Sequence, residues 1–120
     1  MNENYNPPFD DMTVSERAVA DFLASQGMWW QYEYPIYLRD ERDRPRVWTP
    51  DFYIPKLSIY VEVIGDNEKS YNYRREIFQK NSVPIIFVYP NQDGWEEYLI
   101  SQIIAIHQFR DELVTRFKIK

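Results

Sequence analysis

Several residue types that build common functional sites are absent or scarce in this chain. There is no cysteine, which excludes disulfide bonds, thiolate metal ligands and a cysteine nucleophile. The only histidine, His107, falls beside the apolar stripe of a predicted helix, so we expect a structural or exposed position for it rather than a catalytic one. The three glycines form no phosphate-cradling loop, and neither zinc-ligand spacing nor a serine–histidine–aspartate arrangement is present.

Long apolar runs are also missing. No run approaches the ~18 residues of a membrane-spanning helix, and the N-terminus has no basic-then-apolar signal pattern. We therefore expect a cytoplasmic protein with no membrane partner. A chain of 120 residues with 18% aromatic content can build one hydrophobic core. The sequence predicts a flexible N-terminal arm over residues 1–12 and a single domain over residues 13–120.

Basic charge is in the minority, because the net charge is −5. This balance argues against a general nucleic-acid coat protein, which is usually basic. The distribution is uneven, however. Residues 69–80 carry four bases and one acid, while the four arginines within residues 39–46 are largely offset by three acids. A nuclease is therefore compatible with the charge.

Patterning predicts the order α-β-β-β-α-β-α. A capping box over residues 13–16 begins the first helix, and Gly27 ends it. Strands are predicted over residues 29–38, 47–54, 59–64 and 84–89, with helices over residues 68–81 and 95–117. A helix between the third and fourth strands implies a parallel, right-handed crossover. The prediction is an α/β fold with a mixed four-stranded sheet flanked by helices.

Two of these strands each carry one acid in an apolar or aromatic context. The strings are T-P-D-F-Y-I-P at residues 49–55 and I-Y-V-E-V-I-G at residues 59–65. If the two strands are antiparallel neighbours, Asp51 and Glu62 lie close together. Buried carboxylates are costly unless they are paired or hold a metal, and a divalent cation keeps two adjacent ones ionised. The alternatives are a turn at Asp51 and a solvent-facing Glu62 on an edge strand.

These strings resemble the PD-(D/E)xK nuclease superfamily, most closely the branch with Holliday-junction resolvases, very-short-patch endonucleases and small helicase-associated nuclease modules. The resemblance implies a restriction-endonuclease-like core and a nuclease that hydrolyses phosphodiester bonds with Mg²⁺ or Mn²⁺, with DNA as the expected substrate and RNA as the alternative. Asp51 and Glu62 would be catalytic metal ligands, joined by the carbonyl of Val63. Glu16 resembles the first-helix acid of the superfamily and would be a further ligand, although the capping box alone also explains it. Gln31 or Glu33 would line the same site.

One residue departs from the motif. Ile64 occupies the position of the superfamily's lysine, two residues after the acid. Arg74 lies on the apolar face of the second helix and is the candidate replacement cation; the alternative is that its stem packs at the core edge while its charge reaches water. Without a cation, the domain would be a catalytically inactive nuclease-fold module that binds nucleic acid or a protein partner. A third reading is a fold whose acids are incidental.

Two surfaces are candidates for partners. Basic residues suited to phosphate contacts are Arg44, Arg46, Lys69, Arg75 and Lys80. The last helix is longer than a four-stranded sheet needs for cover, which predicts homodimerisation through it.

Overall fold

A computed structural model of the chain describes residues 8–65 and 71–118. Three α-helices occur within these ranges: α1 (Val14–Ser25), α2 (Asn72–Lys80) and α3 (Trp95–Lys118). A short 3₁₀-helix, Phe9–Asp11, precedes α1. The predicted α/β class is confirmed. Within the described ranges, no helix combines the length and the apolar character needed to cross a membrane.

The main sheet has four strands and is mixed, as the sequence predicts. Its order is β1-β4-β5-β6, with antiparallel pairing except between β5 and β6, which are parallel and joined through α2. A separate antiparallel hairpin is formed by β2 and β3. The six strands are β1 (Gln31–Tyr32), β2 (Ile36–Arg39), β3 (Pro45–Trp48), β4 (Phe52–Ile54), β5 (Ile59–Val63) and β6 (Ile85–Val88).

The predicted continuous strands over residues 29–38 and 47–54 are wrong, because each one divides into two. The first breaks at Glu33, whose φ is +54°, a left-handed conformation that cannot continue a strand. The second breaks at the buried Pro50, which has no N–H to donate to a ladder. As a result, the middle of this region leaves the main sheet as the β2–β3 hairpin, while its two ends pair with each other as β1 and β4.

The beginning of α1 is built as predicted. The hydroxyl of Thr13 accepts a hydrogen bond from the backbone N–H of Glu16 at 3.1 Å, and the Glu16 carboxylate accepts from the Thr13 N–H at 2.9 Å. Gly27 follows the helix with a φ of +75°, a conformation that glycine adopts without steric cost. This double cap fixes Glu16 at the N-terminus of α1.

The domain begins earlier than predicted. Residues 1–7 of the predicted arm lie outside the described residues, but residues 8–12 join the folded domain. The Phe9 ring packs edge-on against Trp30 at a centroid distance of 5.5 Å, and Met12 packs on the same core. The predicted start of the second helix, at residue 68, also lies outside the described residues; α2 is described from Asn72.

Each face of the sheet has its own core. On the first face, α1 and α3 pack on Val61 and Val63 of β5 and on their neighbours. On the second face, α2 and the hairpin cover a smaller cluster that consists of Leu38, Ile64, Ile77, Phe78 and Phe87. Glu62 lies between the two inward-facing valines, so strand alternation places it on the second face, under α2.

The last helix packs on the sheet with its first half. Leu99 is fully buried and Ile103 is 8% exposed, whereas Phe117 is 64% exposed. Arg110 fixes the middle of α3 by donating to the carbonyls of Leu57 and Ser58 in the turn between β4 and β5. Homodimerisation through the apolar end of α3 remains a prediction.

Candidate active site

The structure brings Asp51 and Glu62 together. The β4–β5 register pairs Phe52 with Val61, which sets Asp51 opposite Glu62. The Asp51 N–H donates to Glu62 Oε1 at 3.2 Å, and the Val63 N–H donates to Asp51 Oδ2 at 2.7 Å. Each carboxylate therefore accepts a hydrogen bond from a backbone N–H next to the other acid. Glu62 is only 5% exposed.

The local environment disfavours a charge on Asp51. Burial is the largest cause, the neighbouring Glu62 carboxylate is the next, and Glu16 contributes in the same direction. The hydrogen bond from the Val63 N–H opposes them. Together they raise the pKa of Asp51 to about 9. Near neutral pH, the raised pKa favours the protonated form of Asp51 when no metal ion is bound.

Glu16 serves the helix cap and the acidic group at once. Its carboxylate shares a hydrogen bond with Asp51, and its Oε1 also accepts from the Tyr32 hydroxyl at 3.0 Å. Burial, followed by the hydrogen bond to Glu16, raises the pKa of Tyr32. Tyr32 was missed by sequence reasoning because it was placed inside a long strand. Tyr32 could have been identified from the pairing of its strand with the strand that follows Asp51.

The donor set of this group consists of oxygens. Carboxylates of Asp51, Glu62 and Glu16, with the carbonyl of Val63, suit Mg²⁺ or Mn²⁺ better than zinc or copper. Within residues 8–65 and 71–118, no three acidic, histidine or cysteine side chains are arranged as a ready metal cage. The fit therefore rests on the chemistry of the donors and on the repulsion between the buried Glu62 and the partly buried Asp51.

Arg74 supplies a cation at Glu62. Its Nε donates to Glu62 Oε2 at 2.7 Å, and its Nη2 pairs with the same oxygen. The guanidinium lies over the Trp48 ring at 4.7 Å and near the Phe78 ring at 5.4 Å. Its side chain is 31% exposed. The cation thus reaches the acid pair from α2. Sequence reasoning missed Trp48, which is placed by the end of the β2–β3 hairpin and not by a motif.

The burial of Ile64 explains why a cation near Glu62 comes from α2 and not from position 64. Ile64 is 1% exposed and belongs to the apolar cluster under α2, and its N–H donates to Val88 O at 2.9 Å. A lysine there would have to hold its stem, and part of its charge, among the rings of Phe78 and Phe87. Position 64 is a core position in this chain.

The predicted phosphate-binding residues that the structure describes contact partners other than Asp51 and Glu62. Arg44 and Arg46 pair with Asp40 Oδ2 at 3.0 and 2.9 Å, and Lys80 donates to the Asp40 carbonyl at 2.6 Å. Arg75 donates to the Tyr89 hydroxyl and lies over the Phe87 ring. Lys69 is outside the described residues. Arg44 and Arg46 remain about half exposed, so phosphate contact by this group stays a prediction.

The remaining candidates differ in their relation to the acids. Glu33 is adjacent, since its N–H donates to the Asp51 carbonyl at 2.9 Å. Gln31 is exposed and pairs with Tyr53 in the sheet. His107 is exposed on α3 and pairs with Asp111 at 3.3 Å.

Asp40 organises the basic loop, and its replacement gives a testable prediction. Burial acts to raise the pKa of Asp40, but the backbone N–H of Arg44, the Arg46 side chain and the backbone N–H of Arg42 outweigh it and hold the pKa well below its usual range. A lowered pKa stabilises the fold above the unfolded value of about 3.9, and this gain is lost as the pH falls. We expect Asp40→Asn to lower the melting temperature at pH 7, with a difference that shrinks toward pH 3. Thermal melts across this range measure it, and a pH-independent difference would contradict it.

Comparisons of the chain with family models, with curated proteins and with solved structures gave no match.

Proposed function

We propose that this chain is a divalent-metal-dependent nuclease domain that hydrolyses phosphodiester bonds, with DNA as its main substrate. One observation carries the proposal: Asp51 and Glu62 are interlocked at the meeting point of β4 and β5 with a cation, Arg74, on Glu62. Glu62 is buried, Asp51 beside it is partly buried with a raised pKa, and a metal ion would replace the proton that Asp51 holds. The restriction-endonuclease-like topology belongs to the same proposal and is supported by an antiparallel β1-β4-β5 unit followed by α2 and the parallel β6.

Each residue has a distinct role in this proposal. Asp51 and Glu62 bind Mg²⁺ or Mn²⁺, assisted by Glu16 and the carbonyl of Val63. When bound, the cation lowers the pKa of a coordinated water and offsets charge on the phosphate. The Arg74 guanidinium donates to the phosphate as negative charge develops during the attack.

Arg74 is held ready for this role by its surroundings. The guanidinium carbon lies 4.7 Å from the centre of the Trp48 ring, and the partial exposure of the side chain leaves N–H groups available to a substrate. A planar cation with several donors can contact Glu62 and a phosphate at the same time.

A second function, a catalytically inactive nuclease-fold module that binds nucleic acid or a protein partner, is favoured by a different observation. Both carboxylates already have partners within the chain: Val63 for Asp51, and Arg74 with the Asp51 N–H for Glu62. A site closed in this way can be a stable structural element. Metal binding alone does not separate the two functions, but cleavage does.

Metal binding is tested by thermal melts with and without Mg²⁺ or Mn²⁺. A ligand at about 100 times its Kd stabilises the folded state by about 2.7 kcal/mol. We therefore expect a rise of several degrees for the wild type and for Glu112→Gln, a control at an exposed acid of α3. Asp51→Asn and Glu62→Gln should lose this rise. Equal metal stabilisation of all four proteins would contradict the site.

A further inference from the structure

Three tyrosines form a continuous row across the sheet beside the acids. Tyr34 stacks on Tyr53 with ring centroids 5.0 Å apart and planes 23° apart. Tyr53 in turn lies 4.6 Å from Tyr60 at 34°. The row crosses β4 and β5, where Tyr53 and Tyr60 are directly paired. Rows of parallel rings bury aromatic surface on their inner faces and leave the outer face of the end ring open.

Of the two rings at the ends of the row, Tyr34 is the more exposed, and the backbone on both sides of it limits its position. Glu33 before it has a φ of +54° and donates its N–H to the Asp51 carbonyl. The residue after it is Pro35, whose fixed φ limits the chain further. This break between β1 and β2 turns Tyr34 over Tyr53 and leaves it 43% exposed. The break that divides the predicted strand thus presents an aromatic ring to solvent, beside the segment that carries Asp51.

The row shares a face with Glu62. Tyr60 precedes Glu62 by two residues on β5, so the two side chains lie on the same side of the sheet. Tyr53 follows Asp51 by two residues. At about 3.4 Å per residue along a strand, Tyr53 and Tyr60 lie roughly 7 Å along their strands from the acid pair.

Flat aromatic rings beside a phosphate-processing group suit one type of ligand. Every nucleobase has a π-face that stacks on an aromatic side chain regardless of sequence. In a duplex these faces are covered by neighbouring bases, and a base must be unpaired or extruded to reach a protein ring. The nearby acids, Glu33 among them, offer no long-range attraction for a polyanion, which increases the share of affinity that must come from stacking.

We infer that the Tyr34–Tyr53–Tyr60 row is a stacking platform for an unpaired nucleobase adjacent to the phosphate at Asp51 and Glu62. Tyr34 contacts the base, while Tyr53 and Tyr60 support Tyr34 from behind. The substrate class is then a single strand or an unpaired segment of a branched nucleic acid, rather than an uninterrupted duplex. This inference deepens the proposed nuclease function and rests on it for the position of the phosphate.

Binding of a short fluorescent oligothymidylate, with Ca²⁺ in place of Mg²⁺ to prevent cleavage, tests the platform. Loss of one stacked base costs about 1–3 kcal/mol, so Tyr34→Ala should weaken binding roughly tenfold. Tyr34→Phe should bind like the wild type, because the ring is kept. The matched control is Tyr37→Ala, which removes a tyrosine that is 82% exposed on β2 and has no place in the row.

A strand with a single abasic nucleotide, moved along its length, locates the stacked base. At one position the abasic strand should bind the wild type about tenfold more weakly and should show no further loss with Tyr34→Ala, since both changes remove the same contact. Additive losses at every position would overturn the platform. So would unchanged affinity of a folded Tyr34→Ala, which would assign the row to packing or to a protein contact.

The two proposals fail in different ways. If Tyr34→Ala weakens single-strand binding but no substrate is cleaved with Mg²⁺ or Mn²⁺, the platform holds and the nuclease function fails. If the wild type cleaves and Asp51→Asn does not, while Tyr34→Ala binds and cleaves single strands normally, the nuclease function holds and the platform fails.

Discussion

Arg74→Ala is expected to lower the turnover of phosphodiester cleavage by roughly 10²- to 10³-fold, the cost of removing one fixed positive group from a developing anion. The expectation follows from geometry: Arg74 Nε is 2.7 Å from Glu62 Oε2, and the side chain is partly exposed beside the acid pair. Arg74→Lys should retain part of the activity, because a charge remains but the planar set of donors is lost. Single-turnover kinetics on the best substrate measure the effect.

Two comparisons make this result specific. Arg116→Ala removes an exposed arginine near the end of α3 and should cleave like the wild type. Metal stabilisation of Arg74→Ala should persist, because Asp51 and Glu62 remain. Because removing Arg74 leaves Glu62 buried and without its cation, some loss of stability is also expected, so turnover is compared well below the melting temperature. Wild-type turnover in a folded Arg74→Ala would show that the cation of α2 has no catalytic role.

Asp51→Asn is expected to stabilise the metal-free protein, although it removes a central residue of the proposed site. The folded-state pKa of about 9 lies above the unfolded value of about 3.9. The folded state therefore holds more protons between these values, and the wild type loses stability as the pH rises through that window. Asparagine keeps an oxygen for the Val63 N–H and carries no charge to repel Glu62, so it escapes this loss.

The size of this effect grows with pH. One pKa unit corresponds to about 1.4 kcal/mol, and about 1 kcal/mol shifts the melting temperature of a domain of this size by about 4 °C. With EDTA present, we expect Asp51→Asn to melt near the wild type at pH 4 and more than about 5 °C above it at pH 9. Addition of excess Mg²⁺ should then narrow this difference by stabilising only the wild type. A variant that is less stable than the metal-free wild type at pH 9 would contradict the repulsion between the two acids.

The helices and the sheet were largely predictable from local signals. The capping box at Thr13, the glycine after α1 and the apolar run of β6 each act over a few residues, and the structure agrees with them. The division of two strands was not predictable in the same way. Alternation continues through Glu33 and Pro50, and only the pairing of β1 with β4, across a hairpin, decides that the chain leaves the sheet between them.

In the candidate site too, contacts between residues close in sequence were predictable, and contacts made by tertiary packing were not. The adjacency of Asp51 and Glu62 followed from a short link between two strands, and the helical wheel placed Arg74 on the inner face of α2. Trp48, Tyr32 and the tyrosine row reach the acids only through tertiary packing. No local sequence pattern predicts that Tyr34 lies near Tyr53 and Tyr60, because the path of the intervening β2–β3 hairpin determines their spacing.

Basic residues were harder to place than acidic ones. An acid in an apolar strand attracts attention through the cost of its burial, whereas an arginine in a charged loop has many alternative partners. Arg44 and Arg46 pair with Asp40 in the structure, and their predicted contact with phosphates stays a prediction. The sequence contained Asp40 but gave no sign that it is only 2% exposed.

Cleavage by matched proteins distinguishes a metal-dependent nuclease from an inactive module. Wild type and Asp51→Asn, purified in parallel, are incubated with Mg²⁺ or Mn²⁺ and a panel of labelled linear, nicked, flapped, branched and single-stranded DNA, and RNA of the same sequence. We expect metal-dependent cleavage by the wild type of at least one substrate with an unpaired segment, and no cleavage by Asp51→Asn. Absence of wild-type cleavage across the panel, or equal cleavage by the two proteins, would contradict it.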